Sequence, residues 1–250
     1  MGRLDGKVAL VTGAGGGIGS AICERFIVEG GSVLAVDITD EATARAVKAA
    51  GHSDRLVPLV SDITDPGAVQ TAVAKAVDTF GKLDTLVNTA GGSTPNDGRV
   101  TDAPEEEFWR VIKLDLFGTF LVCKYGIPAL VRAGGGSIIN FSSMVAKMSL
   151  PERDCYTAAK GGVSALTRSM AHVYAADGIR VNAIAPGLIK TDFAQALWTD
   201  PVRLEKINNS LPLRRLGDPD EIAGAAVFLA SNAGNYVTGQ VLNVCGGMVT

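Results

Sequence analysis

Tyr156 and Lys160 stand four residues apart in Tyr156-Thr-Ala-Ala-Lys160, a spacing that puts both side chains on one face of a helix. A phenol ordinarily titrates near about 10, too high for efficient proton exchange at neutral pH. A neighbouring ammonium stabilises the phenolate and lowers that value, so the pair is suited to general acid/base work. Two serines, Ser142 and Ser143, precede the pair. Either hydroxyl can hydrogen-bond a carbonyl or alcohol oxygen, and either can simply close a turn on backbone groups. Proton transfer at a substrate oxygen is the chemistry on offer. The Tyr–Lys spacing alone is weak evidence, because it also arises by chance.

A second reactant has a place to bind. Thr12-Gly-Ala-Gly-Gly-Gly-Ile-Gly19 follows an apolar run and opens an amphipathic one. Its glycines Gly13, Gly16, Gly17 and Gly19, with Ile18 among them, permit a tight turn and let the backbone approach a pyrophosphate at a helix N-terminus. Asp37 ends the next apolar run, where a carboxylate can accept hydrogen bonds from an adenosine ribose diol. It would repel a 2′-phosphate, and no Arg or Lys lies in the glycine turn to offset that, so NAD is expected over NADP. Asp62-Ile63 and Asn88-Thr-Ala90-Gly91-Gly92 follow later apolar runs, where they can meet the adenine and the cofactor ribose. All these positions fall at strand C-terminal ends, where open parallel sheets bind ligands.

The elements that must hold these residues show in the periodicity. Val8–Val11, Val33–Val36, Leu83–Val87, Ser137–Phe141, Arg180–Ile184 and Val241–Val244 read as buried strands. Residues 55–60 read as an edge strand, because Pro58 lacks a ladder donor. Helical stripes recur between them: Ile18/Ile22/Phe26, Ala68/Ala72/Ala76/Phe80, Phe108/Ile112/Leu116/Phe120, Met170/Val173/Tyr174 and Ile222/Ala226/Ala230. Each is expected to be a core face. The alternation predicts a single-domain, doubly wound α/β/α parallel sheet of about seven strands. Gly187–Leu213 lacks clear periodicity, is interrupted by Pro201, and carries Phe193, Leu197 and Trp198, which suggests a substrate lid.

Composition narrows the function classes. The chain has 250 residues, 47% of them apolar, with 23 Lys+Arg against 26 Asp+Glu. That balance provides no basic face for nucleic acid, and no run of 18 apolar residues suggests a membrane span. The start, Met1 to Lys7, lacks the apolar core of a signal peptide. Cys23, Cys123, Cys155 and Cys245 show no metal or disulfide spacing and read as free thiols, with a cytoplasmic location and no metal expected.

Taken together, Thr12 to Gly19, Asn88 to Gly91, Ser143, Tyr156 to Lys160, Asn182 and Pro186-Gly187 resemble the short-chain dehydrogenase/reductase family, in its short single-domain branch, over essentially the whole chain. The resemblance implies a Rossmann fold with Tyr156 as catalytic acid/base. It implies that Lys160 holds the nicotinamide ribose and tunes Tyr156. Ser143, rather than Ser142, would orient the reacting oxygen. Pro186, Gly187, Ile189 and Thr191 would line the nicotinamide side, and Asn182 would brace a strand end. A homotetramer is implied as well.

Two positions depart from the family pattern. Thr89 stands where a second Asn is usual, and Asp115 stands where the family carries a catalytic Asn that supports a proton relay. The expectation is that the main-chain carbonyl carries the relay and side-chain identity matters little. The alternative is an Asp115 side chain that alters the pH behaviour, either charged and raising the Lys160 pKa or neutral and donating a proton. The leading functional expectation is an NAD-dependent oxidoreductase acting on a secondary alcohol or ketone. A carrier-linked 3-oxoacyl reductase is the alternative, disfavoured by Asp37 because those reductases generally prefer NADPH. An NAD-sensing binding protein without turnover is a third.

Overall fold

Seven short apolar runs become strands, joined through helical segments into one parallel sheet. A computed structural model of the protein describes residues 2–249; the side chains of Phe193, Ala196 and Leu197 lie outside the described residues. In chain order the main elements are β1 (Val8–Thr12), α1 (Gly17–Val28), β2 (Ser32–Asp37), α2 (Asp40–Ala49), β3 (Leu56–Val60), α3 (Pro66–Phe80) and β4 (Thr85–Asn88). After these come α4 (Glu105–Val111), a π-helical stretch (Ile112–Gly118), α5 (Thr119–Arg132), β5 (Gly136–Phe141), α6 (Asp154–Val173) and β6 (Ile179–Pro186). The short α7 (Gln195–Trp198), α8 (Pro201–Ser210), α9 (Pro219–Ala230) and β7 (Val241–Val244) complete the chain.

The sheet order is β3-β2-β1-β4-β5-β6-β7, with every pairing parallel. Side chains along each strand alternate between two cores. Ala9 and Val11 face α1, α2 and α9, whereas Val8 and Leu10 face α3, α5 and the end of α6. This two-sided burial explains the continuous apolar runs. β3 is an edge strand, and Pro58 sits in it opposite Ala35 of β2. The strand order reverses between β1 and β4, and that switch point is where such sheets open a crevice at their C-terminal edge.

Three patterns depart from the sequence reading. Phe108 and Phe120 are half-exposed, and the inner face of that helix carries Glu107, Val111 and Asp115 instead. Polar residues claim that face because they build the site described below. Val173 is exposed, although Met170 of the same stripe is buried. Pro201 does not interrupt a loop but starts α8: Asp200 caps the helix by accepting from Val202 and Arg203 N–H, and a proline is well suited to the first helical turn. Glu105–Arg132 runs as one helix of 28 residues, long and apolar enough to cross a membrane by those measures, yet 56% of its most apolar window is buried in the protein.

Candidate active site

β1 and β4 end side by side at Thr12 and Asn88. Beyond them the chain turns through small residues because nothing larger fits. Gly13 has φ 64°, and a Cβ there would lie 2.7 Å from the Ala90 backbone. A Cβ on Gly19 would lie 2.0 Å from the Gly13 carbonyl oxygen. The first turn of α1 therefore folds directly onto the strand end. Gly16 is its N-cap, with no side-chain cap and no acidic residue in the first turn, which leaves backbone N–H groups for an anion. The Thr89 hydroxyl donates to the Thr12 carbonyl and pins the end of β1. Threonine at this position thus holds the glycine turn through its side chain.

A cleft of about 530 Å³ opens here, lined by Gly13, Gly16, Asp37, Asp62, Ile63, Ala90 and Gly91 among others. Its glycine cradle fits the pyrophosphate of a dinucleotide. Asp37 accepts from Gly15 N–H at 2.8 Å and from Ile38 N–H at 2.7 Å, so it braces the turn while facing the cleft. Arg45 was not singled out in the sequence. It reaches across from α2, donates from Nε to the Gly15 carbonyl at 2.9 Å, and lines the same cleft. The packing that brings it there is tight, since a Cβ on Gly15 would fall 2.1 Å from the Ala42 carbonyl oxygen. A cation therefore stands beside Asp37, although the glycine turn itself carries none.

Other expected cofactor residues surround this cleft without all lining it. Gly17 and Ile18 open α1, and the Thr191 methyl would meet a Cβ on Gly17 at 2.8 Å, which places Thr191 over the helix start. Pro186 ends β6, and Gly187 lies where a Cβ would press on Cys245. Ile189 turns elsewhere: it pairs with Gly217 and lines a separate cavity of about 350 Å³ with Leu211 and Cys245. The Asn88 amide donates into the core, to Asn140 Oδ1 at 2.8 Å, and the cleft is lined instead by Thr89, Ala90 and Gly91. Asn182 links β6 to the segment before β7, donating to the Val237 carbonyl and accepting from Gln240 N–H.

The expected catalytic residues converge on α6. Lys160 is buried, with Nζ 5.5 Å from the centre of the Tyr156 ring. The same Nζ donates to the Phe141 carbonyl at 3.0 Å and pairs with Asp115 Oδ2 at 3.0 Å. The structure thus brings the Asp115 carboxylate itself to Lys160, whereas the Asp115 main-chain carbonyl accepts the Thr119 hydroxyl at 2.8 Å. Asp115 is fully buried within the π-helical stretch and also accepts from Gly92 N–H at 3.0 Å.

The two serines separate clearly. Ser142 is used in the core, against Ser164 Oγ at 2.6 Å and the Lys160 carbonyl at 3.2 Å. Ser143 lies against the Tyr156 hydroxyl, where it favours the phenolate. In this structure burial pushes the Tyr156 phenol up, and Asp115 adds to that; Lys160, Ser143 and Arg153 pull it down without cancelling the rise. For Lys160, burial works against the charge, but Asp115 and Tyr156 outweigh it and hold the ammonium's pKa above its ordinary value. Cys155, beside the site, is buried and its thiol is pushed up to about 11, first by burial and then by Asp97, so it stays protonated.

Asp97 is a positioning residue that sequence reasoning missed. It is buried and accepts from Cys155 N–H and Tyr156 N–H, both at 3.1 Å. It therefore caps the catalytic helix from the segment after β4, just ahead of the phenol. Capping of this kind satisfies orphan donors at a helix start. Because the partner comes from 58 residues away, local sequence gives no signal for it.

Comparisons with known proteins agree with this geometry. A family model described as Enoyl-(Acyl carrier protein) reductase matches residues 13–249. The chain is 40% identical over 248 residues to the 3-oxoacyl-(acyl-carrier-protein) reductase FabG of Thermotoga maritima, covering 99% of each. It is 37% identical over 249 residues to the D-threitol dehydrogenase of Mycolicibacterium smegmatis, covering 98% of this chain and 94% of that one. A crystal structure of a short-chain dehydrogenase/reductase from Burkholderia xenovorans superposes with a TM-score of 0.93 at 35% identity, covering 99% of this chain and 98% of that chain.

Proposed function

The chain belongs to the short-chain dehydrogenase/reductase family, and from that premise we propose that it is an NAD-dependent oxidoreductase interconverting a secondary alcohol and a ketone, with Tyr156 as acid/base. One observation carries the reading. The Tyr156 phenol has Ser143 beside it and buried Lys160 beneath its ring, and Lys160 is joined through Asp115 to Gly92 N–H, next to Gly91 of the cleft.

The roles follow from the contacts. In alcohol oxidation Tyr156 Oη accepts the carbinol proton while Ser143 Oγ holds the same oxygen. Lys160 favours the phenolate through its charge and is kept charged by Asp115. When bound, the nicotinamide supplies the hydride acceptor. Gly13 and Gly16 admit its diphosphate next to the α1 N-terminus, and Asp37 takes the ribose hydroxyls. The α7–α8 segment, within 187–213, serves as a substrate lid: α8 buries no residue, and Trp198 Nε1 ties the segment to the Thr191 carbonyl at 3.3 Å. Exposed Trp109, with half-exposed Phe108, Phe117 and Phe120 on one helix, supports a homotetramer. The four buried free thiols suit a reducing cytoplasm.

A carrier-linked 3-oxoacyl reductase is the second reading, favoured by the reductase relative and by Arg45 at the ribose end of the cleft. Asp37 weighs against it. The test follows nicotinamide absorbance with NAD and NADP against sugars, steroids, hydroxy acids and cyclic alcohols. Turnover with NAD and at least one secondary alcohol is expected; NADH binding with no turnover across the panel would leave an NAD sensor instead. Asp37→Ala should erode the preference for NAD by about tenfold or more, the worth of a charged hydrogen bond, because Arg45 then faces the 2′ position alone. An unchanged NAD/NADP ratio would remove Asp37 from the specificity account.

A further inference from the structure

Three cations near the site were available to meet an acidic substrate: Lys147, Arg153 and Lys190. The structure gives two of them partners on other elements. Lys190 pairs with Asp218 at 3.3 Å, and exposed Lys147 donates to the Val241 carbonyl at 3.3 Å. Arg153 stays beside the phenol. It is the residue at the N-cap of α6, three positions before Tyr156. Ser93 Oγ, which takes a hydrogen bond from Arg153 Nη1, donates in turn to Asp97 Oδ2, and the same oxygen accepts from Tyr156 N–H, so the guanidinium is tied to the catalytic residue through Ser93 and Asp97.

Arg153 is also held in place. Its Nη1 donates to Ser93 Oγ and to the Thr94 carbonyl, both at 2.9 Å, which uses two of the five guanidinium donors. Nearby carboxylates are engaged elsewhere. Asp97 accepts from Ser93 Oγ, Gly98 N–H, Cys155 N–H and Tyr156 N–H, and Asp154 accepts from Val100 N–H. Glu107 is paired with Arg110 at 2.7 Å. Among the described residues, Arg153 forms no ion pair.

We infer that the substrate carries an anionic group: a small hydroxy acid or oxo acid whose carboxylate lies on Arg153 while its carbinol or carbonyl oxygen lies between Ser143 and Tyr156. This rests on the oxidoreductase reading above and adds the substrate class to it. A guanidinium with its remaining donors in a fixed fork is matched to a carboxylate in two-point contact.

The experiment compares pairs of equal skeleton, 3-hydroxybutyrate against 2-butanol and 4-hydroxypentanoate against 2-pentanol, in the full-length protein with NAD. The acid is expected to win in kcat/KM by about tenfold or more, the scale of a charge-assisted hydrogen bond. Arg153→Gln should collapse that acid-to-neutral ratio toward one, and Arg153→Lys should restore part of it. A ratio near one in the wild type, or one unchanged in Arg153→Gln, overturns the inference while leaving the oxidoreductase reading intact. A binding arm covers the absence of turnover: 3-hydroxybutyrate is titrated calorimetrically into the protein with NADH. Binding that weakens about tenfold in Arg153→Gln would uphold the anion subsite although the reaction had been misread. No binding, or equal binding in both proteins, would reject it.

Discussion

The two sides of the site are built by opposite means. Around β1 and β2 the wall is shaped by side chains that are missing: Gly13, Gly15 and Gly19 each stand where a single added carbon would collide with backbone. Around β4 to β6 it is shaped by charge that has been buried: Asp115, Lys160, Asp97 and Glu107 are 0%, 3%, 6% and 4% exposed. The first wall tolerates no added atom, and the second tolerates no removed partner. That difference separates binding from chemistry. A cradle of backbone N–H groups holds an anion without titrating, whereas moving a proton needs groups whose affinities are set by neighbours.

Removing a partner from the charged wall should have the largest effect. Lys160→Met leaves Asp115 buried with only its Gly92 N–H contacts. A broken buried pair costs roughly 3–5 kcal/mol, expected as a lowered midpoint in denaturant unfolding together with loss of turnover. Stability equal to the wild type would mean the pair contributes nothing to the fold. Adding an atom to the other wall should cost less. Gly19→Ala forces a carbon against the Gly13 carbonyl, with a penalty of about 1–3 kcal/mol for overpacking. Fluorescence titration should show NADH binding weakened by about tenfold or more. Unchanged affinity would show that the turn relaxes freely.

The smallest effect tests the charge itself. The Asp115 carboxylate raises both the Tyr156 phenol and the Lys160 ammonium. Asp115→Asn removes that influence and lowers both. Alcohol oxidation needs the phenolate, so kcat/KM rises with pH and levels off as Tyr156 titrates. The inflection should move to lower pH in the variant. A profile that does not move would return the relay to the main chain. The same arrangement bears on stability at alkaline pH. Because the folded-state pKa of Lys160 lies above its ordinary value, its contribution is complete below the unfolded pKa and is lost as pH rises through the folded one.

The steric wall was legible in the sequence and the charged wall only in part. A glycine turn is local: the pattern from Thr12 to Gly19 contains the whole reason for its shape. Asp37 was legible for the same reason, since it closes the strand beside that turn. Arg45 and Asp97 were not, because each acts across a tertiary contact, Arg45 on Gly15 and Asp97 on the start of α6. The helix through Asp115 shows how the reading fails. Its apolar stripe, Phe108/Ile112/Leu116/Phe120, predicted the core face, but Glu107 and Asp115 occupy the buried side and the aromatic ends of the stripe are half-exposed. Periodicity assumes that apolar residues claim the interior, and here a buried ion pair claims it. The π-helical stretch around Asp115 also breaks the 3.6-residue period on which the stripe depends, a distortion common at functional sites.

The central claim is that the Tyr156 phenol moves the proton while the glycine wall binds the cofactor independently of it. The most direct measurement takes Tyr156→Phe through both halves: steady-state turnover with the best secondary alcohol, and NADH binding by fluorescence. The account predicts turnover lower by about 10²–10⁴-fold, the range for losing a general acid/base, with NADH binding retained. Turnover equal to the wild type would contradict it.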